Sequence, residues 1–276
     1  MIQNNTPIEK YGDIYVKRED LACFPPGPPF AKVRGLYSRL LALKAKGVET
    51  IGYTETSISM AGWGVAWMAK QLGMTAVIFN PIYKTPNEVL TLHRSKWIEF
   101  GAKMIDIPAG MAKVNYHISK NILREQYGPG AVMLPLGLPF IETIREVYLE
   151  FALSKCKKFN TIVMCVGSGT MAAGVLKGVL KTKSKAQVIG VLCRPSKKIR
   201  QKKSLILGMA GAVLNDDFFQ MVDLGYEYTQ KVDFFAPFPC NPYYDLKAYK
   251  FLMDYKETEY NNIRFKKPIL FWNIGA

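Results

Sequence analysis

Thr161–Val166 is an unbroken run of strand-forming residues that empties into Gly167-Ser168-Gly169-Thr170, and a helical pattern follows over residues 172–180. A buried strand that turns through glycine straight into a helix belongs to a parallel α/β sheet rather than to a sandwich or a bundle. The rest of the chain repeats that alternation. Strands are predicted at residues 49–54, 75–80, 104–107, 188–193 and 268–272. Helices are predicted at 63–71, 88–100, about 113–127 and 141–155, the first two closed by Gly73 and Gly101. Residues 195–203 read as a basic loop, and 236–242 as a proline-rich turn before a helix.

A chain of 276 residues suffices for one large domain or two intimate ones. Gly, Pro or Lys breaks every long apolar stretch, so no segment is predicted to span a bilayer. The N-terminus has no basic region followed by an apolar core, so no secretory signal is expected. Cys23, Cys156, Cys165, Cys193 and Cys240 form no CxxC spacing, and His93 and His117 are the two histidines, which argues against a zinc site. The expectation is reduced thiols in a cytoplasmic protein.

The net charge is +15, and it is unevenly spread: residues 151–215 hold 13 Lys and Arg and not one Asp or Glu. A surface of that kind attracts polyanions by counterion release and long-range steering. Nucleic acid is therefore a candidate partner of region 151–215. Solubility explains the charge equally well, and no known nucleic-acid-binding motif accompanies it.

Several short motifs carry possible chemistry. The glycine turn Gly167-Ser168-Gly169-Thr170 leads into a helix N-terminus, where converging backbone N–H groups and the helix dipole suit a phosphate. Near the start stand Lys17-Arg18-Glu19-Asp20-Leu21 and then Phe30-Ala31-Lys32-Val33-Arg34. Ile58-Ser59-Met60-Ala61-Gly62-Trp63 precedes a helical pattern. Downstream are Asn241-Pro242-Tyr243-Tyr244-Asp245-Leu246-Lys247 and the final Phe271-Trp272-Asn273-Ile274-Gly275-Ala276. Taken one at a time, a lysine among many, a tight glycine turn and an acidic residue opening a helix are all ordinary features.

In this order the motifs resemble the tryptophan-synthase-β-like family of pyridoxal-phosphate (PLP) enzymes, in particular 1-aminocyclopropane-1-carboxylate (ACC) deaminase and D-cysteine desulfhydrase. The resemblance covers essentially the whole chain. It implies fold type II: two open, mostly parallel twisted sheets flanked by helices, with PLP in the cleft between them. Residues 1–45 and 134–276 are expected to form a large PLP-binding domain and 46–133 a small one. Relatives of this kind are commonly homodimers.

The resemblance also assigns roles. Lys32 matches the Schiff-base lysine of the family's Asn-Lys-Val-Arg segment, with Ala31 in place of the Asn. Gly167, Ser168, Gly169 and Thr170 match the phosphate loop. Tyr244 falls at the tyrosine near the cofactor ring, as a packing or acid–base partner. Asp245 falls where ACC deaminases have a Glu facing the pyridine nitrogen, and a carboxylate there keeps that nitrogen protonated. Ile274 is aliphatic, as in the ACC deaminase branch. Ser59 retains the hydroxyl of the family's Gln-Ser-Asn segment, which meets the substrate carboxylate, while Met60 replaces the Asn and has no hydrogen to donate. Ser57 and Thr56 are nearby hydroxyls expected to compensate. No metal is implied.

A lysine-bound PLP enzyme stabilises a Cα carbanion, or quinonoid, on an amino-acid substrate. Three readings follow. One is a decarboxylase or lyase acting on an amino acid attached to a modified DNA base, as in viral relatives of the family. The altered Ser59-Met60 segment, the acid-free basic region, the compact loops and an end at Ala276 without the relatives' further helix favour it. The second is a lyase or deaminase of a free small amino acid. The third is a non-catalytic binding protein on the same scaffold.

Overall fold

The computed structural model describes residues 2–85, 87–213 and 218–276. Leu214 and Asn215, the end of the basic stretch, lie outside the described residues. The chain divides into two compact units. The first comprises Met1–Phe24, Pro29–Gly35 and Ile141–Ala276; the second comprises Pro25–Pro28 and Leu36–Phe140. Residues 25–28, 36–45 and 134–140, read from sequence as part of the larger domain, cluster with the smaller unit.

The strands in chain order are β1 (Ile8–Tyr11), β2 (Ile14–Arg18), β3 (Thr50–Thr54), β4 (Thr75–Ile82), β5 (Lys103–Pro108), β6 (Val132–Met133), β7 (Thr161–Val166), β8 (Gln187–Leu192), β9 (Phe219–Val222), β10 (Glu259–Tyr260), β11 (Ile263–Arg264) and β12 (Ile269–Asn273). The helices are α1 (Val33–Lys44), α2 (Ala61–Leu72), α3 (Glu88–Glu99), α4 (Ala112–Tyr127), α5 (Ile141–Leu153), α6 (Thr170–Lys181), α7 (Ile199–Ala210) and α8 (Asp245–Tyr255). The expected fold class is the observed one: an α/β chain with two parallel sheets flanked by helices. None of the described helices is long and apolar enough to cross a membrane.

The smaller unit carries a four-stranded parallel sheet in the order β5-β4-β3-β6. Gly73 ends α2 in the left-handed conformation the sequence called for, at φ 63°. The larger unit carries a six-stranded sheet in the order β1-β2-β12-β7-β8-β9, parallel except for the antiparallel β1–β2 pair at one edge. The last strand of the chain thus sits at the centre of that sheet, between the second strand and the glycine-loop strand. Register aligns Arg18 with Asn273, Trp272 with Met164, and Val166 with Leu192. The carboxyl ends of β2, β12, β7 and β8 therefore share one edge, where open α/β sheets bind their ligands.

Helices α5 and α6 pack on one face of that sheet, and glycine sets their spacing. A Cβ at Gly174 would lie 2.5 Å from Val147 Cβ, and one at Gly178 2.5 Å from Phe151 Cγ. The other face is covered by α8, whose Leu246, Ala248, Phe251 and Leu252 are buried with Val163, Ile189 and Phe271.

Residues 195–203, read from sequence as a loop, instead enter a helix at Ile199. The reason is tertiary. Ile206, Leu207 and Ala210 bury one face among the residues of α6, and that burial holds a helix that carries Arg200, Lys202 and Lys203 among its first five residues.

Under β2 lies a buried ionic cluster. Lys17 Nζ reaches Glu150 Oε1 at 2.5 Å, the backbone oxygen of Thr6 at 2.5 Å and Ser154 Oγ at 2.5 Å. Arg34 grips Glu19 with two hydrogen bonds of 2.9 Å. Lys17 and Glu19 are fully buried. Removing one partner of such a pair leaves an uncompensated buried charge, so Lys17→Met should destabilise the fold by about 3 kcal/mol. Urea unfolding checks this, and a loss near zero would show that the cluster contributes nothing at this position.

Candidate active site

The carboxyl edge of the larger sheet gathers the residues that the sequence singled out in this unit. Lys32 lies in the turn before α1. That turn is pinned from both sides: the Ala31 N–H donates to the Ile274 carbonyl at 2.9 Å, and Arg34 is held by Glu19. Lys32 Nζ donates to Ser168 Oγ at 3.0 Å, so the amine meets the glycine loop directly. The side chain is only half-buried by surface area, yet the protein around it disfavours charge, and desolvation lowers its ammonium to about 8. An appreciable fraction is therefore neutral, and nucleophilic, near neutral pH.

The loop itself is shaped by backbone constraint. Gly169 sits at φ 99°, and a Cβ there would come within 2.6 Å of Ile206 Cγ1. Only glycine satisfies both conditions. Gly169 is the N-cap of α6, and Ser168 Oγ and Thr170 Oγ1 pair at 3.0 Å. Beside them lie Cys165, next to last in β7, and Cys193, the residue after β8, both buried. The Cys165 thiol hydrogen-bonds to Cys193, which pulls Cys193 down, helped by Lys202, and pushes Cys165 up.

Asp245 opens α8 and is almost fully buried. Its Oδ1 accepts the Ile274 N–H at 2.9 Å. Burial raises its carboxyl group to about 8, and the nearby Asp20 adds to the rise. Asp20 is itself held by Arg18 at 2.8–3.0 Å and by Asn273 Nδ2 at 3.0 Å. The segment after β12 thus joins the two predicted functional groups: Ile274 accepts from the residue before Lys32 and donates to Asp245. Gly275 accepts from the Asn241 N–H at 3.0 Å, and the Ala276 N–H donates to the Pro29 carbonyl at 3.2 Å.

Tyr244 is the N-cap residue of α8, and its hydroxyl pairs with that of Tyr228 at 2.7 Å. Tyr228 escaped the sequence reading because no motif surrounds it. Lys247, in the same motif as Asp245, is fully buried and donates to the carbonyls of Cys193 and Glu227 at 2.9 and 2.8 Å. It ties the end of β8 to α8.

In the smaller unit, Ser57, Ser59 and Met60 lie between β3 and α2. Ser59 Oγ accepts the Ala61 N–H at 3.1 Å, and its hydroxyl also hydrogen-bonds the Glu55 carboxyl group. Met60 is buried at the N-cap of α2. The residue that organises this loop was missed. Glu55 is buried, and its two oxygens accept from the N–H groups of Thr56 and Gly62. Burial raises it to about 8 against those hydrogen bonds. Burial likewise lowers His93, on α3, to about 4, so it is neutral in the fold.

An amine with a depressed pKa, a glycine cradle at a helix N-terminus and a buried carboxyl group share one sheet edge of one unit. These are the groups that an aldehyde-bearing pyridine phosphate requires, and the donor set fits that cofactor.

Comparison with known proteins agrees. Residues 2–226 match the family described as pyridoxal-phosphate dependent enzyme. A glycyl-dTMP PLP-dependent decarboxylase of Pseudomonas phage M6 is 37% identical, over the full length of both chains. Among solved structures, an ACC deaminase homologue superposes with a TM-score of 0.79 at 18% identity, covering 99% of this chain and 90% of its own. A hydrogen sulfide-producing enzyme from Fusobacterium nucleatum gives 0.65 at 15% identity, covering 99% and 95%. The two structures share the fold.

The raised carboxyl group at position 245 makes a testable pH signature. Its folded pKa of about 8 exceeds the unfolded value of 3.8, so the unfolded chain sheds the proton first and this group's stabilisation is lost as pH rises through about 4 to about 8. Asp245→Asn keeps an oxygen for the Ile274 N–H and removes the titration. Between about pH 5 and about pH 8, its urea midpoint should fall less than that of the parent protein without cofactor. Parallel curves would show that Asp245 ionises normally.

Proposed function

We propose that this chain, which belongs to the family of pyridoxal-phosphate-dependent enzymes, is a decarboxylase that removes CO2 from an amino acid carried on a thymidylate unit. The cofactor is pyridoxal phosphate. The observation that carries the reading is the Lys32–Ser168 contact at the carboxyl edge of the sheet, in a chain 37% identical end to end to a glycyl-dTMP decarboxylase.

When bound, pyridoxal phosphate supplies an aldehyde for the substrate amine and an electron-poor ring that accepts the electron pair left as a bond at Cα breaks. The chain's own residues do the rest. The N–H groups at the start of α6, with Gly167 and Gly169 in the turn and the Ser168 and Thr170 hydroxyls, hold the phosphate. The Lys32 amine is the covalent attachment point, and afterwards its ammonium returns a proton to Cα. Asp245 holds the proton on the ring nitrogen, and the backbone of Ile274 fixes the orientation of that carboxyl group. Tyr244, braced by Tyr228, packs at the ring.

Ser59 and Ser57 are assigned to the substrate carboxylate. A methionine at position 60 offers that carboxylate no hydrogen bond. Loss of CO2 disperses the carboxylate's charge, so a site that stabilises it weakly in the ground state favours decarboxylation over proton removal. The acid-free basic surface suits a substrate that carries phosphate. The competing reading, a lyase of a free small amino acid, rests on the fold shared with the ACC deaminase homologue.

Two outcomes are expected from the loaded protein. Glycyl-dTMP should lose one CO2 by mass spectrometry, and Lys32→Ala should both abolish the visible absorption band of the bound cofactor and slow CO2 release by about 10²-fold or more. Ammonia from ACC or sulfide from D-cysteine, with no CO2 from the glycyl nucleotide, would replace this reading with the free-amino-acid one.

A further inference from the structure

The fold sorts the basic stretch into two groups that its sequence does not separate. Lys155, Lys157 and Lys158 precede β7, and Lys181, Lys183 and Lys185 lie between the end of α6 and the start of β8. These six belong to the amino-terminal edge of the sheet. Arg194, Lys197, Lys198 and Arg200 follow β8 and lead into α7, at the carboxyl edge, and all four are exposed.

The second group flanks the candidate site. The Cys193 N–H, one residue before Arg194, donates to the Val166 carbonyl at 3.2 Å, directly before the glycine loop. A Cβ at Gly167 would lie 3.8 Å from Cys193 Sγ, and α7 packs on Gly169 through Ile206. Among the described residues, Asp223 meets this turn and is occupied by backbone: Oδ2 accepts the Ser196 N–H at 2.8 Å and Oδ1 the Gly225 N–H at 3.0 Å. Among the described residues, no ion pair is recorded for Arg194, Lys197, Lys198 or Arg200. Four exposed cations without an ion pair therefore follow directly on the strand whose end meets the glycine loop. Spread over seven residues, they can meet several phosphates in succession rather than one.

We propose that the turn between β8 and α7, through Arg194, Lys197, Lys198 and Arg200, is the docking surface for the phosphate backbone of a DNA strand whose modified base is the substrate. The inference rests on the decarboxylase reading and adds that the nucleotide is taken within a polymer. Phosphates are held by charge along the exposed turn, while the amino acid is read at Lys32 and Asp245. The opposite basic edge takes no part.

The test is fluorescence anisotropy of a labelled single-stranded oligothymidylate with the cofactor-loaded protein across a salt series. Three cations are changed at each edge, all of them exposed: Lys197→Gln/Lys198→Gln/Arg200→Gln, and Lys157→Gln/Lys158→Gln/Lys183→Gln. The first triple should weaken binding by about tenfold to a hundredfold near 0.1 M salt and reduce the log–log salt slope by about 2. The second should leave both unchanged. Equal losses in the two triples would overturn the proposal in favour of diffuse charge, and so would a parent protein with no affinity for the oligonucleotide. Glycyl-dTMP separates the two readings. CO2 release from it by a parent protein that ignores the oligonucleotide removes the docking surface and keeps the activity. Oligonucleotide binding localised to the β8–α7 turn without CO2 release does the opposite.

Discussion

Ile274 holds the site of the larger unit together through its backbone. Its carbonyl takes the Ala31 N–H and so fixes the turn that bears Lys32; its own N–H goes to Asp245. Buried backbone groups must be paired, and leaving one orphaned costs about 1–3 kcal/mol. The end of β12 therefore cannot shift without disturbing both functional groups at once. Because β12 lies between β2 and β7, this junction also inherits the register of the whole sheet. The lysine turn and the carboxyl group come from opposite ends of the chain and are joined through the backbone of one residue.

The second support is ionic. Arg34 lies two residues beyond Lys32, and its bidentate grip on Glu19 is continued by Glu150 and Lys17. A cluster of this kind is a weak source of net stability, since desolvation offsets most of the Coulomb gain. It is nevertheless directional. An apolar replacement could fill the volume, but it would not dictate the angle at which α1 begins. The motif Lys17-Arg18-Glu19-Asp20-Leu21, which pointed to the family, acts in this fold as the frame beneath Lys32: Lys17 and Glu19 face the cluster, while Arg18 and Asp20 reach toward Asn273.

Much of this was legible in the chain because it is written locally. Thr161–Val166, the glycine turn and α6 follow one another, and Gly73 and Gly101 mark helix ends without tertiary help. Three features were not legible, for different reasons. Helix α7 begins in a run of cations, and its apolar positions acquire meaning only once α6 is beside them. Glu55 stands among threonines with nothing to announce burial; the backbone N–H groups that receive it belong to a turn whose shape a sequence does not display. Tyr228 is similar, since its partner lies sixteen residues away across a loop. Motifs reveal groups that chemistry fixes in order along the chain, and they miss groups recruited through space.

Desolvation links the titrating groups into one design. Burial lowers the Lys32 ammonium to about 8 and raises the Asp245 carboxyl group to about 8, so near neutral pH the carboxyl group is mostly neutral while the lysine is mostly protonated, with a neutral fraction of about a tenth. An anion settling at residues 167–170 would favour the protonated lysine further, and a cation settling beside Asp245 would favour its carboxylate. The fold thus buries Asp245 in its neutral form near neutral pH and keeps a neutral fraction of Lys32 available. The same buried carboxyl group weakens the free fold as pH rises, and a cation held against it would offset that loss by stabilising the carboxylate.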